Sequence, residues 1–255
     1  MKTRLISLIV TGGLMLSSSG HAETPAVDPA ALTALENMGA HLRSLQTFAV
    51  NAADTIDLVQ DNGQKIQFAT NIALQVRRPN GLRADIDSDA GSRRLYYDGK
   101  DFTLLFPDTG FYATVPAKPT LREVLNHVEA KYDMEFPLVD LFTWGKDPEA
   151  VKAIRSAMLV GPSKVNGQEA DHYAFRQDEL DWQLWIARGD APLPLKYVIT
   201  TTDVPEQPQY TATLSWDSAA KPDDAVFTFQ PAKTQYRIGM VAVDVEDTEQ
   251  SPTAQ

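Results

Sequence analysis

The chain has 255 residues, with 34 acidic and 23 basic side chains for a net charge of −11 at pH 7, and it contains no cysteine. So acidic a surface disfavours nucleic acid and anionic headgroups as partners. The missing cysteine excludes disulfides, thiol chemistry, cysteine-ligated metals and a lipid anchor on an N-terminal cysteine.

Lys2 and Arg4 precede an apolar run, Leu5 to Leu16, and small side chains stand at Gly20 and Ala22. This is the pattern of a Sec-type signal peptide over residues 1–22 with cleavage after Ala22, and the run is too short for a membrane span. What remains is long enough for one domain over 23–240 to bury a core without covalent help. The last stretch, 241–255, is acidic and patternless and is expected to be a disordered tail.

Asp28 and Pro29 open a helix whose stripe is Leu32, Leu35, Met38, Leu42 and Leu45. The period then changes to two. Thr47–Gln60 predicts a long strand, and Asn62-Gly63 marks a hairpin tip. In the next strand Phe68, Thr70, Ile72, Leu74 and Val76 share one face. "GLRADID", "SRRLYY", "DFTLLF" and "FYATV" continue the series, with turns at Asp98-Gly99 and Asp108-Thr109-Gly110.

A helical insertion near 120–158 follows. Thr120 and Glu123 suggest a capping box before Leu121, Val124, Leu125 and Val128, and Asp147-Pro148 opens a helix through about Met158. Strands resume with "AMLVGPSKV", "QEADHYAFR", "DWQLWIA", "LKYVIT", "PQYTATLSWD" and "AVFTFQP". Roughly eleven strands joined mostly by hairpins imply one antiparallel sheet, and a meander of that length curls. The expected fold is therefore α+β: an open antiparallel half-barrel with an α-helical lid.

Motifs for chemistry are weak. Asp178, Glu179 and Asp181 precede the strand carrying Trp182 and Trp185, where acidic residues mark a solvated turn; a glycosidase pair would instead sit on neighbouring strands, roughly 5–9 Å apart. "PDTG" at 107–110 occurs once, at a hairpin tip, whereas aspartic proteases need two such loops. "DIDSDAG" has Ala90 and Tyr96 where an EF-hand needs glycine and glutamate. His172 and Asp171 are strand neighbours pointing to opposite faces. No nucleophile elbow, zincin or phosphate-loop motif occurs. No enzyme, cofactor or metal is expected.

What stands out is apolar lining. Phe68, Ile72, Leu74, Phe102, Leu104, Phe106, Tyr112, Trp182, Leu184, Trp185, Tyr197 and Trp216 fall on predicted strands. Leu125 and Leu141 fall in the 121–144 helices expected to act as a gate. Helices could simply fill this face and make a solid core. A curved sheet under few helices can also leave a cavity for an apolar ligand.

The segments "YYDGKDFTLLFPDTGFYATVPA", "TLREVLNHVEAKYDMEFPLVDLF" and "DHYAFRQDELDWQLWIARGDAPLPLKYVIT" resemble a family of predicted periplasmic proteins of Gram-negative bacteria, a domain of unknown function. More distantly, the layout is similar to the periplasmic lipoprotein carriers and outer-membrane lipoprotein receptors, and to a periplasmic regulator that senses mislocalised lipoproteins. The resemblance implies a periplasmic carrier whose partner is a lipid or lipoprotein acyl chain, or alternatively an envelope sensor binding a protein. The carrier family uses an arginine beneath its lid. Arg77, Arg83, Arg93 and Arg94 are strand-borne here, but none stands in a matching motif.

Overall fold

The computed structural model describes residues 27–134, 136, 138, 139, 141, 144 and 148–243. The expected signal peptide over 1–22 and most of the acidic tail expected over 241–255 lie outside them. α1 (Pro29–Ser44) starts where expected: the Asp28 side chain caps it by accepting from the Ala30 N–H, and Pro29 fills the first turn. Its buried face is Ala31, Leu35, Met38, Gly39 and Leu42.

The chain then enters the middle of a sheet. β1 (Thr47–Val59) pairs with β2 (Lys65–Arg77), and β3 (Gly81–Ser88), β4 (Gly91–Tyr97), β5 (Asp101–Phe106) and β6 (Phe111–Pro116) follow outward, each antiparallel to the last. The β1–β2 turn is built around Gly63, at φ +79, with the Gln64 N–H donating to the Asn62 side chain. Asn62 itself stays at negative φ, so the loop is not the two-residue form that Asn-Gly favours.

After β6 come α2 (Leu121–Tyr132) and α3 (Pro148–Lys152). The chain restarts at the opposite edge with β7 (Ser156–Val165), then works back through β8 (Gln168–Arg176), β9 (Leu180–Ala187), β10 (Pro194–Thr201) and β11 (Gln209–Asp217), which lies against β1. Two meanders thus meet at β1 and β11. The α2–α3 segment joins the two outer edges, so it must cross one face of the sheet. That crossing is the lid. The helix expected through about Met158 is much shorter, because β7 already claims Ser156 onward with Ala157 buried.

The sheet is curled and open. Leu104 and Phe106 on β5 and Tyr197 on β10 wall the same hollow, although β5 and β10 are six strand steps apart. At ~4.8 Å per step those strands would be about 29 Å apart in a flat sheet. The result is the expected open half-barrel, with helices over its concave side. A short parallel strand, β12 (Tyr236–Arg237), is added beside β6.

"AVFTFQP" is not a strand. Asp224–Phe227 forms a 3-10 turn with Phe227 fully buried, and the chain continues as a strap across the convex face. Arg77 pairs with Asp224 and lies over the Phe227 ring, and Phe229 packs on Tyr96 and Tyr112. The strap reaches β12 and then α2, where the Val243 N–H donates to the Lys131 carbonyl. The tail expected from 241 is therefore docked at least to Val243.

Candidate functional site

Pairing register fixes which side chains face the lid. Phe48, Val50, Ala52, Asp54 and Ile56 of β1 stand opposite Val76, Leu74, Ile72, Thr70 and Phe68 of β2. The same row continues through Ile86, Arg93 and Phe106 on one side and through Leu214, Ala212 and Tyr210 on the other. Between this wall and the lid lies a cavity of about 390 Å³. Its floor includes Ile56, Thr70, Ile86, Ser88, Arg93, Leu95, Leu104, Phe106, Tyr197 and Tyr210; Met134, Phe136, Leu138 and Val139 form its roof. A volume of ~300–1,000 Å³ is usual for small-ligand sites.

The roof is held from both ends. Leu138 is buried at φ +61, a backbone region that a branched side chain seldom adopts, and its carbonyl accepts from the Leu141 N–H. Trp144 lies edge-on to Tyr197, with ring centres 5.3 Å apart, and its carbonyl accepts from the Arg43 guanidinium of α1 at 2.7 Å. Gly39 permits that approach, since a Cβ there would stand 2.6 Å from the Trp144 oxygen.

Deeper in, a void of about 10 Å³ lies among Ile72, Leu74, Leu82, Ala84 and Leu125 and shares Leu95, Phe136 and Val139 with the main cavity. At the other end the concave face runs out into solvent. Ile56, Leu58 and Ile66, all on that face of the β1–β2 hairpin, are exposed by 41, 43 and 40%. Adjoining exposed apolar residues of this kind mark a place where something apolar docks.

Polar groups in the wall come from Thr70, Ser88, Arg93, Tyr197 and Tyr210, with Asp54 beside them. Asp54 is buried, and the Tyr210 hydroxyl donates to its Oδ2 at 2.6 Å. Burial pushes its pKa up to about 6, the Tyr210 hydrogen bond opposing part of the rise. The same burial raises the Tyr210 phenol far above its ordinary value. Arg93 lines the cavity rim from β4.

The residues singled out from the sequence divide into groups. Leu104, Phe106 and Tyr197 line the main cavity, and Ile72, Leu74 and Leu125 line the small void. Phe102, Leu141 and Leu184 are fully buried core, Phe102 meeting Phe136 edge-on at 5.9 Å. Phe68 is half-buried at the rim, opposite Ile56. Trp182 faces the concave side but is stacked on Phe175 at 4.0 Å; Trp216 packs on Phe48 and donates to the Pro194 carbonyl.

Two assignments need correction. Tyr112 lies on the convex face under Phe229, because the Phe106–Phe111 register turns Phe111 and Ala113 inward. Trp185 is also convex: it pairs across from Lys196, stacks on His172 at 3.9 Å and donates to the Ser163 hydroxyl. Burial lowers the His172 pKa. The acidic turn is bound up in ion pairs, Asp178 with Arg155 and Asp181 with Arg176. Asp85 and Asp87 pair with Arg83 and Arg94, and the Asp108 side chain accepts from the Ser92 N–H in the "PDTG" turn.

Ile56, Ile86 and Leu95 follow the period-two pattern and were within reach of the sequence. Tyr210 also alternates with Ala212 and Leu214, and the roof lies in the 121–144 segment expected as a gate, whereas Arg93 and Ser88 carry no such signal.

No described helix is long and apolar enough to cross a membrane. No curated protein matches the chain. Among solved structures, the chain is similar to the Mycobacterium tuberculosis lipoprotein LppX at 13% identity, over 77% of this chain and all of that one, with a TM-score of 0.48. It is also similar to a LolA superfamily protein of Nitrosomonas europaea, at 10% identity over 78% of this chain and 97% of that one, TM-score 0.34. A third likeness is to the Pseudomonas aeruginosa MucA/MucB complex, at 17% identity over 78% of this chain and 61% of that one, TM-score 0.43. The model of one family, described as predicted periplasmic protein DUF2092, matches residues 31–241, so the chain belongs to that family and is periplasmic.

Proposed function

We propose that this protein is a periplasmic binding protein, a carrier that holds the acyl part of a lipid or lipoprotein between its concave sheet and its lid. The observation behind this reading is a largely apolar cavity between sheet and lid that adjoins exposed apolar residues of the β1–β2 hairpin. Ile56, Leu58 and Ile66 stand exposed at its outer end, and at its inner end Leu95, Phe136 and Val139 separate it from a 10 Å³ void lined by Leu125 of α2. A sixteen-carbon chain buried along this cavity would gain on the order of 10 kcal/mol at ~0.8 kcal/mol per methylene. Association costs of similar order leave a reversible affinity. That balance suits a shuttle, and it asks for no covalent step.

Protein taken gently from its own periplasm is expected to show bound lipid in native mass spectra. The delipidated protein is expected to take up a fluorescent fatty acid. Protein that arrives empty and ignores the probe would sink the reading.

A second reading, a sensor that binds a protein partner, draws on the other edge of the sheet. β7 is an outer strand bridged to Val27 at Ala157, and beyond that bridge Met158, Leu159 and Val160 are exposed by about half. Unpaired strand edges accept extended peptides. A photo-crosslinker at Leu159 should trap one defined protein in cells if this reading holds, and nothing if the edge is idle.

A further inference from the structure

We propose that Arg93 and Thr70 form a head-group site at the cavity mouth, so that the cargo is a single-chain anionic amphiphile ending in a carboxylate or phosphate. The inference rests on the binding reading above and adds the polarity and direction of the ligand.

Arg93 and Arg94 are adjacent on β4, and the pleat sends them to opposite faces. Arg94 is convex and satisfied: its Nη2 lies 2.8 Å from Asp87 and its Nη1 donates to the Ile86 carbonyl at 2.9 Å. Arg83 is likewise paired with Asp85, Arg176 with Asp181, and Arg188 with Asp171. Arg93 faces the cavity, and its side chain makes no hydrogen bond or ion pair with another described residue. Arg93 is an exposed residue at the cavity mouth, so its guanidinium is open both to solvent and to a ligand entering there. Among the described residues that line the cavity there is no carboxylate.

Thr70 adds a second donor. It lines the same cavity two strands away, and its hydroxyl also has no partner among the described residues. The other charge nearby sets the direction. Asp54 lies on β1, directly opposite Thr70 and bonded to Tyr210, so the anionic charge itself belongs at Arg93, and Thr70 can donate only to an oxygen on the Arg93 side of the head group. From Arg93 the next inward residue on β4 is Leu95, which belongs both to the main cavity and to the small void beyond Phe136. A head at Arg93 therefore sends its tail inward under the roof. The cavity is near the lower end of the usual ligand-site range, which favours one chain over several.

The test measures displacement of the neutral dye N-phenyl-1-naphthylamine from full-length mature protein. The probes are palmitate, hexadecyl phosphate and uncharged 1-monopalmitin, and the proteins are wild type, Arg93→Gln, Arg93→Lys and Arg122→Gln. Arg122 is an exposed control on α2. Wild type is expected to prefer at least one anionic probe over monopalmitin by about tenfold, the worth of one hydrogen-bonded charge. Arg93→Gln should bind all probes alike at the monopalmitin level. Arg93→Lys should restore part of the preference, and Arg122→Gln should keep all of it. The tighter anionic probe names the head group. Equal binding of all probes by wild type, or a preference that survives in folded Arg93→Gln, overturns the proposal and leaves the carrier reading standing. Binding of none overturns both.

Discussion

The two faces of the sheet are made from the same strands and handle polar groups in opposite ways. On the convex face, charge meets charge or ring: Arg94 with Asp87, Arg83 over Tyr96 at 3.6 Å, His172 on Trp185. Hollows exist there too, such as one of about 310 Å³ under the strap, but Asp98, Asp101 and Arg237 line it. On the concave face polar groups stand among apolar ones, and the position of each relative to the cavity defines what it can do. A face that tolerates water can spread its charges; a face that excludes water makes each one count.

The largest effect that would sharpen this contrast lies in the concave core. Phe102→Ala removes a fully buried ring that meets the roof at Phe136. It is expected to cost about 3–5 kcal/mol, the usual range for a buried Phe→Ala change. Urea denaturation would measure it; a loss under 1 kcal/mol would mean that the lid is not packed on the sheet as described.

Asp54 comes next, and its effect depends on pH. The folded protein keeps this proton up to about pH 6, whereas an unperturbed aspartate gives it up near 3.8. Below about pH 4 both states hold the proton and the group is neutral to stability. As pH rises, the unfolded chain ionises first and gains, so the folded state loses stability until about pH 6, above which the penalty is complete. Its full size is on the order of 3 kcal/mol. Asp57, Asp87, Asp178 and Asp181 are shifted the other way and lose stability on acidification. The informative quantity is therefore wild type minus Asp54→Asn. Asparagine still accepts the Tyr210 hydroxyl bond, and the difference should grow in the mutant's favour between pH 4 and pH 7. A flat difference would place Asp54 in water rather than in the wall.

Gly39→Ala probes the lid's anchorage to α1. The new methyl would meet the Trp144 carbonyl at 2.6 Å, a backbone atom that cannot swing aside. A loss of about 1–3 kcal/mol is expected, typical of overpacking. The fluorescence of Trp144 against Tyr197 should change with it.

Alternation carried most of the architecture into view from the sequence, because a strand half in water must sort its side chains by parity. It placed Ile72, Leu74, Leu104 and Tyr197 on the inner wall, and the Asp28-Pro29 and Thr120 caps located two helices. It failed where parity is broken or borrowed. At β10 a bulge between Pro194 and Lys196 moves Leu195 out of step with Tyr197 and into a separate cluster with Val165, Ala170 and Ala187. "AVFTFQP" alternates like a strand, yet Phe227 and Phe229 are inserted into the sheet's back by an irregular strap. Tyr112 and Trp185 are large and apolar, but on strands covered on both sides size does not say which side. Arg93 was visible only as one of four strand-borne arginines, and nothing local distinguishes it from Arg94.

That pair gives the smallest and most discriminating stability prediction. Arg94→Gln breaks the contact with Asp87, whose side chain is more than half exposed. Exposed ion pairs contribute about 0–1 kcal/mol, so the stability loss should fall within that range. The Ile86 carbonyl that Arg94 also holds can turn to water or to the new amide. Ligand binding should be untouched, since the side chain lies behind the sheet. Salt supplies the cross-check: raising ionic strength screens an exposed pair, so the difference between wild type and Arg94→Gln should shrink further. A loss beyond 2 kcal/mol, insensitive to salt, would mean that the convex charges are as buried as the concave ones. In that case solvent does not separate the two faces of the sheet.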